Sequence, residues 1–211
     1  SYAETEELIA LARTAAEKDG LFTVHMRSES ARLVEATAEM LRVAEESGCR
    51  CVISHHKATG GVFNWNKTAA TLSLMEQAAA RGCDVFCDQY PYTASSTGLA
   101  TNIPDALHAL GVEALLELLS PEKRETLRPV ICGKKTSRER FQYTMSGWSA
   151  SHPEYAGRML NEIAGARGED PFDTQCDLLI ADRLGTSAIF HTQSEEDLER
   201  VMRWPRAMVG T

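Results

Sequence analysis

The sequence predicts an α/β fold of parallel β/α units, and three observations predict it. The order helix, glycine, strand occurs three times between Glu4 and Asp88, at a period of about 30 residues that suits one strand, one helix and two loops. Three of the short apolar runs end in a polar residue at matching positions, His25, His55 and Asp88. The chain has 211 residues, 43% of them apolar, enough to bury a large core, with no apolar run long enough to cross a membrane. Parallel strands present their C-terminal ends along one edge. A barrel gathers those ends into a single pocket, whereas an open doubly wound sheet spreads them along a crevice.

Residues 4–19 pattern as a helix, with Leu8, Ile9, Leu11, Ala12, Ala15 and Ala16 on one stripe and Gly20 suited to its C-terminal cap. A strand over 21–26 follows. A second helix at 31–47 (Leu33, Ala36, Met40, Val43, Ala44) is stopped by Gly48 and leads into a strand at 51–55. The third unit is a helix at 68–81, Gly82, and the strand Asp84 to Asp88.

The rhythm breaks after Ser96. Residues 94–157 hold short helical pieces at 105–110, 113–119 and 121–127, several Pro and Gly residues, and the polar stretch Lys134 to Arg140, which together read as an inserted subdomain. Regular patterning returns with helices at 158–167 and 171–183, a strand at 187–191, a helix at 194–203 and a final strand Ala207 to Thr211. Ser194 and Asp197 open the last helix as a near capping box, with Asp in place of Glu. The expected organisation is a partial β/α barrel over 1–93, the insertion over 94–157, and a return to the barrel over 158–211. The chain opens on a helix that ordinarily follows a strand and stops inside its last strand, so it reads as a fragment.

The net charge of −8 and scattered basic residues leave no positive patch to track a phosphate backbone, which argues against nucleic-acid binding. The polar, acidic start does not resemble a secretion signal. A cytoplasmic protein without membrane attachment is the expectation. Six cysteines lack paired C-x-x-C spacing and are expected to be buried free thiols.

A lone histidine at a strand end is commonly structural, satisfied by a backbone carbonyl. Two at the matching edges of consecutive strands point to a metal site. Strand alternation puts Thr23 and His25 on one face, and Cys51, Ile53 and His55 on one face, so His55 rather than His56 is expected to share a pocket with His25. His56 is then a packing or supporting residue. Lys57 either anchors an anionic substrate group over the pocket mouth or is an exposed loop lysine. The run Asp88-Gln89-Tyr90-Pro91-Tyr92 with Ser95-Ser96-Thr97 is either a cluster of hydrogen-bonding groups or a rigid packed turn.

Five segments in order, His25-Met26-Arg27-Ser28-Glu29, Ile53-Ser54-His55-His56-Lys57, Asn64-Trp65-Asn66-Lys67, Asp88 to Tyr92 with Ser95 to Thr97, and Ser194-Glu195-Glu196-Asp197, resemble the N-acyl-D-amino-acid deacylases. These D-aminoacylases of the amidohydrolase superfamily are metal-containing TIM-like β/α barrels with an insertion before the last barrel strand. The resemblance implies that residues 1–211 are the later part of the barrel plus that insertion, completed by the rest of its own polypeptide. It implies that His25 and His55 are zinc ligands, with one or two zinc ions in the whole enzyme. It implies that Lys57, Tyr90 and Ser96 line the pocket for the carboxylate and acyl group of a small N-acyl-D-amino acid, and that Arg27 and Asp88 support it. The expected reaction is hydrolysis of the amide to a carboxylate and a free D-amino acid.

Some family features are missing. The chain has no His-x-His pair and no cysteine matching the family's metal-bridging one. The proton-carrying aspartate belongs just after Thr211, so no catalytic residue is expected within the chain, and an isolated fragment is expected to be inactive. Asn66 stands where glycine is usual. Two other readings remain open: an amidohydrolase of cyclic amides, hydantoinase- or dihydropyrimidinase-like, using the same histidines, and a non-catalytic binding module in which the histidines are structural.

Overall fold

The apolar stripe at the start of the chain folds as α1 (Thr5–Ala16), and it buries Ile9 and Ala12. The computed structural model describes residues 3–210. Gly20 is not the cap of this helix: Glu17 takes that position. A Cβ at Gly20 would stand 2.7 Å from the Ala15 carbonyl oxygen, so close approach of backbone to backbone is what requires glycine there. Next come β1 (Leu21–Val24), α2 (Leu33–Ser47), β2 (Arg50–Ile53), α3 (Lys67–Ala80) and β3 (Val85–Gln89). Helix α2 buries Leu33, Ala36, Met40, Val43 and Ala44 as the pattern predicts, and Gly48 ends it with φ of 68°, a left-handed turn that a side chain would strain.

The middle of the chain forms its own unit, from Ala94 to His191. Its elements are β4 (Ser95–Gly98), α4 (Asp105–His108), α5 (Val112–Leu119), α6 (Arg128–Cys132), α7 (Ser137–Phe141), β5 (Thr144–Trp148), α8 (Leu160–Arg167), α9 (Pro171–Ala181) and β6 (Ser187–Phe190). The three strands make an antiparallel sheet in the order β4-β6-β5. The expected return to the barrel at 158 is therefore corrected. Strand β6 is bonded on both edges by β4 and β5, so it has no edge for a parallel ladder. Ala188 is buried with Phe141, Phe172, Leu178 and Leu179 in this unit's own core. Strands β4 and β5 escape the pattern because their Ser and Gly residues carry little strand signal, and pairing with β6 supplies what propensity does not.

Within this unit the Asp182 carboxylate accepts the Ser151 backbone N–H at 2.8 Å and the Thr186 hydroxyl at 2.8 Å. Burial opposes its ionisation, but hydrogen bonds from Ser149, Thr186 and Ser151 outweigh that and bring its pKa down to about 2. A carboxylate whose folded pKa is depressed stabilises the fold above its unfolded pKa, and that contribution fades as pH falls toward the folded value. Asp182→Asn should therefore destabilise less at about pH 3 than at about pH 6, by about 1 kcal/mol after allowance for solvent screening. Urea melts of both proteins at the two pH values measure this, and an equal cost at both would contradict it.

The chain up to Thr93 and from Thr192 onward forms the other unit. It is closed by α10 (Glu195–Met202) and β7 (Ala207–Val209). Its sheet is parallel throughout, in the order β1-β2-β3-β7. The sequence offers five strand candidates where the resemblance implies four, and the one external to this sheet is β6. Thr211, assigned to the last strand by its pattern, lies outside the described residues. Register places Val24, Cys51, Ile53, Val85 and Cys87 on one face, where they join Leu33, Met40, Val43, Leu72, Met75 and Val201 of the helices in a single core. The other face carries Leu21, Thr23, Val52, Phe86, Asp88 and Met208, and Leu21 and Met208 are about half exposed. One-sided helix cover is how a β/α barrel wall is built. The cysteines are all free, five of them buried, and burial pushes the thiols of Cys51, Cys87 and Cys176 up to about 12. Such thiols pack rather than react.

Candidate metal and substrate site

His25 directly follows β1 and continues its alternation onto the face of Thr23. Its companion arrives by a different route from the one alternation suggests. Val24 pairs with Ile53, so the residue level with His25 is Ser54, and an unbroken strand would turn His55 toward the helices. The strand ends at Ile53, and His55 adopts φ of 41°. That left-handed residue swings the imidazole to the side of His25. The two rings lie 4.4 Å apart between centroids at 34°, with His25 Nδ1 facing His55 Nε2.

A left-handed conformation costs a non-glycine residue about 1–2 kcal/mol, so something must hold it. Asp88 at the end of β3 does so: its carboxylate accepts the His55 backbone N–H at 2.7 Å, and its carbonyl accepts the His56 N–H at 2.8 Å. The end of β7 closes against the same carboxylate, since a Cβ at Gly210 would lie 2.9 Å from Asp88 Oδ1. His56 consequently points the other way, fully buried, with Nε2 2.8 Å from the Thr71 hydroxyl of α3. Burial pushes its pKa down to about 4, so at neutral pH it is an uncharged packing residue.

Glu29, in the loop after β1, bridges the site. One oxygen lies 2.6 Å from His55 Nδ1 and the other 2.7 Å from Lys57 Nζ. Its loop is tied to the one after β2 by the Thr59 N–H donating to the Glu29 carbonyl at 2.8 Å. Burial would raise the Glu29 carboxyl pKa, but the His55 hydrogen bond and the Lys57 charge outweigh that and hold it below the usual carboxylate value. Lys57 is buried rather than an exposed loop lysine. Burial lowers its ammonium pKa, opposed by Glu29 and Asp88. Its Nζ also donates to the His55 carbonyl at 3.1 Å and stands 5.6 Å from the centre of the Tyr90 ring. The Tyr90 hydroxyl accepts from Gln193 Nε2 at 2.8 Å.

The remaining expected residues make other contacts. Arg27 donates through Nε to both oxygens of Glu39 on α2, at 2.9 and 3.0 Å. Ser96 belongs to the other unit, exposed on β4 opposite Ile189. Glu29 was not singled out from the sequence, although it sits four residues past His25. The signal was a carboxylate at helix-like spacing after a strand-end histidine, and only the loop path shows that it turns back to His55.

The donor set fits part of a zinc site. Two imidazole nitrogens converge, and a carboxylate backs the far nitrogen of one of them, as carboxylates commonly do for metal-binding histidines. Among the described residues there is no group of three or more His, Cys, Asp or Glu able to hold a metal ion. Among them, too, no helix is long and apolar enough to cross a membrane.

Four parallel β/α units thus carry a histidine pair at their strand ends. No family model matches the chain. It is 33% identical over 211 residues to an N-acyl-D-glutamate deacylase of Alcaligenes xylosoxydans xylosoxydans, covering 99% of this chain and 35% of that protein. Its fold matches the crystal structure of N-acyl-D-glutamate deacylase from Bordetella bronchiseptica, complexed with zinc and a phosphonate mimic of the reaction's tetrahedral intermediate (TM-score 0.73, 31% identity). It also matches a D-aminoacylase described as defining a novel subset of amidohydrolases (TM-score 0.68, 30% identity). Each structural match covers 99% of this chain and 35% of the other. The chain is thus a homologue of the D-aminoacylases along its whole length, spanning about a third of theirs.

Proposed function

We propose that this chain supplies the two-histidine half of the metal site and the carboxylate anchor of a zinc-dependent hydrolase that cleaves the amide of N-acyl-D-amino acids. The observation that carries the reading is the meeting of His25 and His55 at the strand ends with Glu29 and Lys57 behind them. His25 and His55 would hold one zinc, and a second ion would need donors from the rest of the barrel. Zinc bound there would lower the pKa of water from about 16 toward about 7 and polarise the amide carbonyl.

The chain's own residues position the substrate. Lys57, held by Glu29, would receive the free carboxylate and so set which enantiomer turns its amide toward the metal. Tyr90 would flank that carboxylate, with its hydroxyl held by Gln193. Ser96 enters only through its match to the family motif. Asp88 holds the His55 turn.

Two donors cannot fill a tetrahedral zinc shell. This chain alone, incubated with zinc and an N-acetyl-D-amino acid, should therefore bind metal weakly and release no D-amino acid above the uncatalysed background. Chiral chromatography of the products measures this, and clear turnover would contradict the division of the site.

A further inference from the structure

Glu29 stands between two groups with incompatible demands on one nitrogen. His55 Nδ1 is 2.6 Å from a Glu29 oxygen and 2.8 Å from Lys57 Nζ. A carboxylate paired with an ammonium only accepts, and an ammonium only donates, so a single Nδ1 cannot satisfy both. If Nδ1 is unprotonated, its lone pair faces a carboxylate oxygen at hydrogen-bond distance, which is repulsive. If Nδ1 carries the proton, it donates to Glu29, and Lys57 gives up Nδ1 as an acceptor but keeps the second Glu29 oxygen and the His55 carbonyl.

We infer that Glu29 is a positioning residue: it fixes His55 in the Nδ1–H tautomer, turns the Nε2 lone pair toward His25, and with its other oxygen sets the place of Lys57. Resting on the proposed function, this makes one carboxylate the link between the metal ligand and the substrate anchor. A histidine side chain free in water favours the Nε2–H tautomer, so the opposite preference is imposed by the site.

Long-range proton–nitrogen correlation spectra of the ¹⁵N-labelled, metal-free chain at neutral pH read the tautomer directly. The expected result is a protonated Nδ1 and a bare Nε2 at His55. Glu29→Ala should convert His55 to the Nε2–H form, whereas Glu29→Gln, whose amide oxygen still accepts, and Lys57→Met should both keep Nδ1–H. In a complete barrel Glu29→Ala should also weaken zinc binding by about 10- to 100-fold, as loss of such a backing carboxylate does elsewhere. An Nε2–H tautomer in the unaltered chain overturns the inference without recourse to any variant. So does an unchanged Nδ1–H tautomer in a folded Glu29→Ala protein. A correct tautomer together with full zinc content in the His25→Ala and His55→Ala variants of a complete barrel would instead sink the metal reading, which separates the two failures.

Discussion

Replacing His55 with alanine in a complete barrel that carries this segment should lower turnover of an N-acyl-D-amino acid by on the order of 10³-fold or more, because several kcal/mol of transition-state charge stabilisation depend on the metal. His25→Ala should do the same, and the double variant should be no worse than the more damaged single one, since both are proposed to act through one ion. Bound zinc, measured on the purified protein by elemental analysis, should fall with the activity. The fold itself should tolerate both changes: His25 is exposed, and His55 sits at a surface turn whose backbone Asp88 holds whatever the side chain. Full activity with full metal content in either variant would leave the histidines structural.

The largest effect on folding is expected at Asp197. This carboxylate, 3% exposed, was expected to cap its own helix in the manner of a capping box. Only half of that happens: the Ser194 hydroxyl accepts the Asp197 N–H at 3.4 Å, while the Asp197 side chain turns inward. It accepts the Asn66 N–H at 2.7 Å, Arg200 Nη1 at 2.7 Å and the hydroxyl of the fully buried Thr68. It therefore fastens α10 to the start of α3. Removing one partner of a buried charged network leaves the others unpaired, so Asp197→Ala should cost about 3–5 kcal/mol. In urea melts of this chain the midpoint should drop accordingly, while Glu195→Ala, on the exposed side of the same turn, should stay within about 0.5 kcal/mol of the parent. A small effect at Asp197 would mean that water replaces its partners.

Asn66, which the resemblance sets at a glycine position, meets the Asp197 carboxylate through its backbone N–H. Asn66 has φ of 68°, the left-handed region in which glycine is easiest and asparagine is the best tolerated side chain. Its side chain is used as well, accepting from Arg200 Nη2 at 3.2 Å.

Local information carried the β/α part of the chain. Apolar stripes at helical spacing, the glycine at 48 and the short runs before His25, His55 and Asp88 set the elements and their order, because each depends only on near neighbours in sequence. The placement of residues 158–191 was not legible in this way. Helix and strand signals there look like those of the barrel, and nothing local states that Ser187–Phe190 lies between two polar strands.

The pairing of the histidines was reached from the sequence by an alternation argument that the register does not support. Tertiary structure brings them together through a left-handed residue at His55, stabilised by a carboxylate 33 residues away in the chain. It alone also reveals Glu29 as the group joining His55 to Lys57. The sequence by periodicity and residue chemistry determines which elements form and which side chains end them. Register, backbone handedness and loop path depend on partners distant in the chain, and so only the folded sheet decides which of those side chains meet.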